Sequence, residues 1–184
     1  IGALGLIGFG WRRAGGGNPW PAIGLLYIAA ACIALAVLRG DQTEGRSVIL
    51  WLFSVVWATF IGSYVFGQWI GGAKLAPSIS PGKTWAGLIG GAASAAVVAA
   101  ILLAATSVER SIMAIVALSA LVAVVSQAGD LFESWYKRRF GVKDSGQLIP
   151  GHGGVLDRID GMLLAAPLAA IVFWLSQGGI ALWK

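Results

Sequence analysis

Long apolar runs alternate with short polar segments along the whole chain. A helix that crosses a membrane needs about 20 mostly apolar residues, because each residue rises about 1.5 Å and the hydrocarbon core is roughly 30 Å thick. The sequence predicts five such helices, over residues 20–38, 48–66, 86–105, 112–129 and 162–183. Residues 1–11 are apolar but too few to cross, and we expect them to be the end of a further helix.

The composition supports a membrane protein. Of the 184 residues, 58% are hydrophobic and 11% are charged, against about 45–50% and about 25% in an ordinary soluble domain. The mean hydropathy of +0.81 likewise excludes a soluble globular protein. The predicted fold is all-α, a polytopic transmembrane bundle of about five spans plus a partial N-terminal helix, and one domain covers residues 1–184. The single cysteine, Cys32, excludes an intramolecular disulfide.

The basic residues indicate how the chain lies in the membrane. The net charge of +5 could suggest nucleic-acid binding, but the Lys and Arg side chains lie in the segments between the apolar runs. Alternating the segments between the two sides of a bilayer places four basic residues on one side and nine on the other, and the nine-residue side is predicted to face the cytoplasm. The nine are Arg12, Arg13, Lys74, Lys83, Lys137, Arg138, Arg139, Lys143 and Arg158.

Residues 130–160 hold ten of the 21 charges, five acidic and five basic. This mixture suits a metal ion with a phosphate-rich substrate better than an electrostatic lipid anchor, which would be nearly all Lys and Arg. If the fourth span continues past Gly129, then Asp130, Ser134 and Lys137 or Arg138 lie on one helix face. A carboxylate, a hydroxyl and a cation would then project together at the membrane surface.

Two further carboxylates, Asp157 and Asp160, are three residues apart where the fifth span is expected to begin. This spacing predicts that they face together on one helix, and oxygen ligands from two helices are what Mg²⁺ prefers. An alternative is that Asp157 is an N-cap and Asp160 a first-turn charge, with Arg158 as their surface partner.

A glycine-rich stretch, residues 143–154, lies between these helices. Its four glycines would let backbone N–H groups approach an anionic ligand, which makes it a candidate phosphate cradle. It contains the single histidine, His152, either a structural hydrogen-bonding group or a catalyst. With one histidine and no nearby thiolate, a zinc site is not expected.

The second polar segment contains Gly82-Lys83-Thr84. This resembles the end of a P-loop, but Pro77 stands where that motif needs its first glycine, so the P-loop interpretation fails. A proline-fixed turn that presents Ser80, Lys83 and Thr84 to a phosphate is one interpretation. The other is that Lys83 extends to the membrane surface beside Trp85.

Glycine spacing in the third span favours a close helix contact. Gly87 and Gly91 are four residues apart, and small residues let membrane helices approach closely. A homodimer that uses this face is one expectation.

The run SWYKRRFGVKDSGQLIPGHGGVLDRID, residues 134–160, resembles the signature of the phosphatidate cytidylyltransferase family, also called CDP-diacylglycerol synthases. The preceding residues 126–130 and the earlier segments 74–77 and 80–85 are similar to the same family. The signature region is taken as residues 126–161.

The resemblance implies an all-helical enzyme of the bacterial inner membrane whose site faces the cytoplasm. It would make CDP-diacylglycerol and pyrophosphate from CTP and phosphatidic acid with Mg²⁺ and a K⁺ ion, and this chain would be the C-terminal catalytic part. By matching positions, Asp130 and Asp157 would be metal ligands, with Asp144 and Asp160 nearby. The residues implied to contact phosphates or to hold the site together are Ser134, Lys137, Arg138, Lys143, His152 and Arg158.

Phe60 departs from the family pattern, because the family has an acidic residue at this place. A phenylalanine cannot bind a cation, so a catalytically impaired relative that acts as a membrane scaffold is one alternative. A small-solute transporter is a second, although the predicted spans carry almost no ionisable residues. A CDP-alcohol phosphatidyltransferase is a third, but the stretch after Asp160-Gly161 lacks the arginine of that pattern.

Overall fold

The computed structural model describes residues 19–41, 44–105, 111–146 and 154–177, and these are mostly helical. In chain order the elements are α1 (Trp20–Gly40), α2 (Gly45–Trp69), β1 (Lys74–Ala76), β2 (Ser80–Thr84), α3 (Trp85–Ala104), α4 (Ile112–Arg139), α5 (Leu156–Ile159) and α6 (Met162–Gln177). The helical bundle predicted from the apolar runs is confirmed.

Helices α1 to α4 are long and apolar enough to cross a membrane, and the chain is a membrane protein. The fifth predicted span corresponds to α6, whose described part has 16 residues and is shorter than the roughly 20 that a crossing needs. The rest of that predicted span, and the partial helix expected over residues 1–11, lie outside the described residues.

The core of the bundle is formed largely by aliphatic side chains from different helices. Leu38, Leu52 and Val122, from three different helices, are fully buried. Trp51 Nε1 donates a hydrogen bond of 3.0 Å to Ser119 Oγ inside this core. Many large apolar side chains remain exposed on the outside of the helices, as expected of a surface that faces lipid.

Helices α2 and α3 touch through glycine. A Cβ added to Gly87 would lie 2.8 Å from the carbonyl oxygen of Ser63, and one added to Gly91 would lie 2.7 Å from that of Thr59. Real Cβ atoms do not approach so closely, so both positions require glycine. The Gly87 to Gly91 spacing is therefore a helix contact inside the chain, while the homodimer stays a prediction.

The proline-containing segment between α2 and α3 forms an antiparallel hairpin, β1–β2, with Lys74 opposite Thr84 and Ala76 opposite Ser80. The two-stranded sheet was not predicted. Thr84 ends β2 and caps α3, because its Oγ1 accepts a hydrogen bond of 3.0 Å from the Gly87 N–H. The hairpin is therefore anchored directly to the start of a buried helix.

Helix α4 continues past Gly129 to Arg139, so the condition under which Asp130 and Ser134 share one helix face is met. The expectation that Asp157 and Asp160 begin the fifth span is wrong, because Asp157 belongs to a separate short helix, α5, which ends at Ile159 and is directly followed by Asp160, while α6 begins at Met162. A Cβ at Gly161 would collide with the Phe60 ring and lie 3.3 Å from the carbonyl oxygen of Ser126. This close approach occurs at the junction of the two helices.

Candidate active site

Two polar parts of the chain meet at one end of the bundle. Lys83, at the end of the hairpin, forms an ion pair with Asp130 Oδ2 on α4. Lys83 Nζ also lies 3.5 Å from the carbonyl oxygen of Gln127. The Gln127 side chain in turn donates a hydrogen bond of 3.2 Å from Nε2 to the carbonyl oxygen of Leu88 on α3. The prediction that these two segments lie on the same side of the membrane is confirmed by this contact.

A cavity of about 700 Å³, called here the Lys83 cavity, opens beside this ion pair. Its walls carry two lysines, hydroxyl groups and the Asp130 carboxylate, so it suits an anionic ligand that brings a cation with it. The lining residues are Phe60, Ser63, Tyr64, Gly67, Gln68, Gly71, Lys74, Ser80, Gly82, Lys83, Thr84, Gly87, Gln127 and Asp130.

A second carboxylate, Asp160, lies close to Asp130. The backbone of Gly129 packs against it, since a Cβ there would lie 3.1 Å from the Asp160 carbonyl oxygen. Burial, and to a smaller extent the nearby Asp130 charge, raise the pKa of Asp160 to about 7. A hydrogen bond from the Gly161 N–H has the opposite effect and lowers it. Lys83 also lowers this pKa, but it does not outweigh the burial of Asp160 and the Asp130 charge.

Asp157 is in a different environment. Its Oδ2 accepts hydrogen bonds from Ser145 N and Ser145 Oγ, each 2.9 Å long, and from Gly154 N at 2.8 Å, while Lys137 Nζ lies 2.6 Å from Oδ1. Burial opposes ionisation, but Lys137 and these donors outweigh it and hold the pKa of Asp157 well below its usual range. Asp157 thereby joins the two described ends of the glycine-rich stretch.

Lys137 bridges two carboxylates. Its Nζ lies 2.6 Å from Glu133 Oε2 and 2.6 Å from Asp157 Oδ1. Glu133 is 2% exposed and was missed as a site residue. Its spacing of four residues before Lys137 on a helix is the sequence signal that could have identified it.

The other predicted residues divide into two groups. Ser134 Oγ donates a hydrogen bond of 3.4 Å to Asp130 Oδ1, and Ser80 lines the Lys83 cavity. Both residues therefore lie at the site. Arg138 is exposed, and its guanidinium donates a hydrogen bond of 3.2 Å to the Val142 carbonyl oxygen. Lys143, Asp144 and Arg158 are also exposed, and His152 lies outside the described residues.

Phe60 lies at the site itself. It lines the Lys83 cavity, and its ring packs against Gly161, the residue after Asp160. The side chain at this position therefore faces the same space as Asp130.

The carboxylates allow a test of whether a metal ion fits. Within residues 19–41, 44–105, 111–146 and 154–177, no group of three or more Asp, Glu, His and Cys side chains is placed to hold one. Mg²⁺ is usually held by one or two carboxylates together with substrate phosphates. Asp130 and Asp160 supply two such carboxylates beside the cavity, with Ser134 and Lys83 as the partners of Asp130. Asp157 is held more tightly, by Lys137, Ser145 and Gly154.

Comparison with known proteins identifies the family. The model of the cytidylyltransferase family matches residues 18–176, which is most of the chain. The chain belongs to this family.

Several relatives of this cytidylyltransferase chain are named phosphatidate cytidylyltransferase. That of Brucella suis is 52% identical over 152 residues, which are 83% of this chain and 56% of that protein. That of Haemophilus influenzae is 44% identical over 138 residues, 73% of this chain and 48% of that protein. That of Staphylococcus haemolyticus is 39% identical over 148 residues, 80% of this chain and 57% of that protein. The chain thus spans about half the length of the curated relatives it matches.

Proposed function

We propose that this chain carries the catalytic part of a phosphatidate cytidylyltransferase, which makes CDP-diacylglycerol and pyrophosphate from CTP and phosphatidate. The observation that carries the proposal is the Lys83–Asp130 ion pair beside a polar cavity of about 700 Å³. Family membership and the names of the relatives support this function over a small-solute transporter or a membrane scaffold.

In this reaction a phosphate oxygen of phosphatidate forms a bond to the α-phosphorus of CTP. The bond from that phosphorus to the bridging oxygen breaks, and pyrophosphate leaves. The attacking phosphate is already anionic at neutral pH, so the site needs to position two anions and offset their charge. Lys74 and Lys83 line the cavity and would bind the phosphates.

Mg²⁺, when bound, would neutralise charge on the phosphates and orient them. Asp130 and Asp160 are the residues that we propose hold it, with Ser134 hydrogen-bonded to Asp130. K⁺ remains a proposed second cation. Asp157 would act by fixing the ends of the glycine-rich stretch through Ser145 and Gly154.

We also propose that the site faces the cytoplasm from the bacterial inner membrane. The excess of Lys and Arg on the side that carries Lys83 and Lys137 supports this orientation. CTP would then enter from the cytoplasm, and phosphatidate would enter laterally from the bilayer.

The test is pyrophosphate release by the purified protein in liposomes that contain phosphatidate, with CTP and with or without Mg²⁺. Asp130→Asn should lower the rate about 100-fold or more, because the variant loses a proposed ligand of the Mg²⁺ that would offset the charge of the reacting phosphates. The matched control is Asp41→Asn, at the end of α1, where the side chain accepts a hydrogen bond in a turn that asparagine can also accept. Release that needs no phosphatidate, or equal rates in the two variants, would refute the proposal.

A further inference from the structure

A second cavity, of about 270 Å³, lies between the first turns of α1, helix α4 and Leu156 of α5. We call it the Glu133 cavity. Three aromatic side chains, Tyr27, Phe132 and Tyr136, form part of its wall, and the rest is apolar apart from Glu133. Tyr27 and Phe132 meet edge to face with ring centroids 5.1 Å apart.

Glu133 is the exception in this apolar wall. The residue is 2% exposed, and its Oε2 lies 2.6 Å from Lys137 Nζ. Its other oxygen, Oε1, is buried and has no hydrogen-bond partner among the described residues. A buried carboxylate oxygen without a donor is unfavourable, so a ligand that donates a hydrogen bond would be bound preferentially here.

The Glu133 cavity lies next to the reacting groups. Tyr27 Oη is 3.5 Å from the carbonyl oxygen of Gly129, the residue that precedes Asp130. Glu133 follows Asp130 by about one turn of α4. A molecule that reacts beside Asp130 could therefore extend into the Glu133 cavity.

The residues that line the Glu133 cavity favour binding of one chemical part of CTP or phosphatidate over the others. An acyl chain has no donor for Oε1, and a phosphate would be repelled by the carboxylate. A flat aromatic ring with an amino group fits both the aromatic walls and the free acceptor.

We propose that the Glu133 cavity binds the cytosine ring of CTP, with Glu133 Oε1 accepting a hydrogen bond from the exocyclic amino group. This inference rests on the proposed function. Uracil carries a carbonyl oxygen where cytosine carries the amino group, so two acceptors would face each other. Glu133 is therefore a residue that selects CTP over UTP.

The test compares Glu133→Gln with the unaltered protein. The glutamine amide can donate to uracil as well as accept from cytosine, so the ratio of kcat/KM for CTP to that for UTP should fall about tenfold or more, as the loss of a charged hydrogen bond predicts. Glu44→Gln, at the residue directly before α2 and outside the lining of the Glu133 cavity, is the matched control and should keep the ratio. An unchanged ratio in Glu133→Gln would overturn the proposal, and so would an equal loss for both nucleotides.

Binding separates this inference from the proposed function. Calorimetric titration with CMP and with UMP needs no turnover, and the preference for CMP should be lost in Glu133→Gln even if pyrophosphate release fails.

A ribose hydroxyl is the other donor that a nucleotide offers. If deoxy-CMP binds as weakly as UMP, the hydroxyl is the recognised group and the cytosine assignment is wrong. If Glu133→Gln does not fold, Glu133→Asp retracts the carboxylate and should weaken CMP more than UMP, whereas equal weakening would refute the proposal.

Discussion

The network around Asp157 gives the sharpest prediction about stability. Its side chain is 9% exposed and accepts from Lys137, Ser145 and Gly154 at 2.6 to 2.9 Å. Breaking a buried ion pair by removing one partner costs about 3–5 kcal/mol. Lys137 keeps Glu133 as a partner in Asp157→Ala, so we expect the lower end of that range, about 3 kcal/mol.

Thermal unfolding in detergent, followed by tryptophan fluorescence, measures this change. At about 2–4 °C per kcal/mol for a chain of this size, the midpoint should fall by roughly 6–12 °C. Asp144→Ala is the matched control, because Asp144 is a nearby exposed aspartate, and surface substitutions usually change stability by less than about 0.5 kcal/mol. Equal shifts in the two variants would show that Asp157 does not hold the segment in place.

Three further predictions concern packing, capping and the site. Gly91→Ala should destabilise the fold by about 1–3 kcal/mol through overpacking against α2 and so lower the unfolding midpoint. Gly40→Ala should not lower it, because the added Cβ would have no atom of the described residues within 4 Å. Thr84→Ala should lower the free energy of unfolding by about 1 kcal/mol, because it removes the N-cap of α3. The control is Ser111→Ala, which removes the longer cap hydrogen bond of α4, 3.4 Å. A larger loss of stability in the serine variant would contradict this prediction. Phe60→Asp should increase Mg²⁺-dependent pyrophosphate release, because it adds a carboxylate to the lining of the Lys83 cavity, where Asp130 lies. Unchanged Mg²⁺ dependence would show that this position does not reach the cation.

The helices could be predicted because their lengths follow from one external constraint. Apolar runs of about 20 residues match the thickness of the hydrocarbon core, and α1 to α4 contain the predicted runs almost completely. For the end of α4 the spacing supplied only a condition, namely that Asp130 and Ser134 share a face if the helix continues past Gly129. Their contact of 3.4 Å agrees with that expectation.

The partners of the carboxylates could not be predicted in the same way. Asp157 contacts Ser145, 12 positions earlier, and Lys137, 20 positions earlier, and no helical or strand period links such separations. At the break between α5 and α6, Gly161 lies against the ring of Phe60, a residue from a different helix. Both features are set by tertiary packing, which a local pattern does not contain.

The hairpin was missed for a different reason. Strand β2 consists of Ser80-Pro81-Gly82-Lys83-Thr84, and proline and glycine are depleted in strands. Pairing with β1 and the cap that Thr84 provides for α3 outweigh that local preference. Lys83 was recognised as a candidate from its chemistry, but its partner Asp130 lies 47 positions further along the chain.

The glycine contact between α2 and α3 couples the tilt of these helices in the membrane to the geometry of the Lys83 cavity. Two helices whose backbones touch tilt as one body, and Thr84 fixes the hairpin to the end of that body. A thicker or thinner bilayer changes helix tilt. Lys83 would move against Asp130 to the extent that α4, which the Gln127–Leu88 hydrogen bond links to α3, tilts less than α2 and α3. Reaction rate in this protein should therefore depend on acyl-chain length even for lipids that never enter the site.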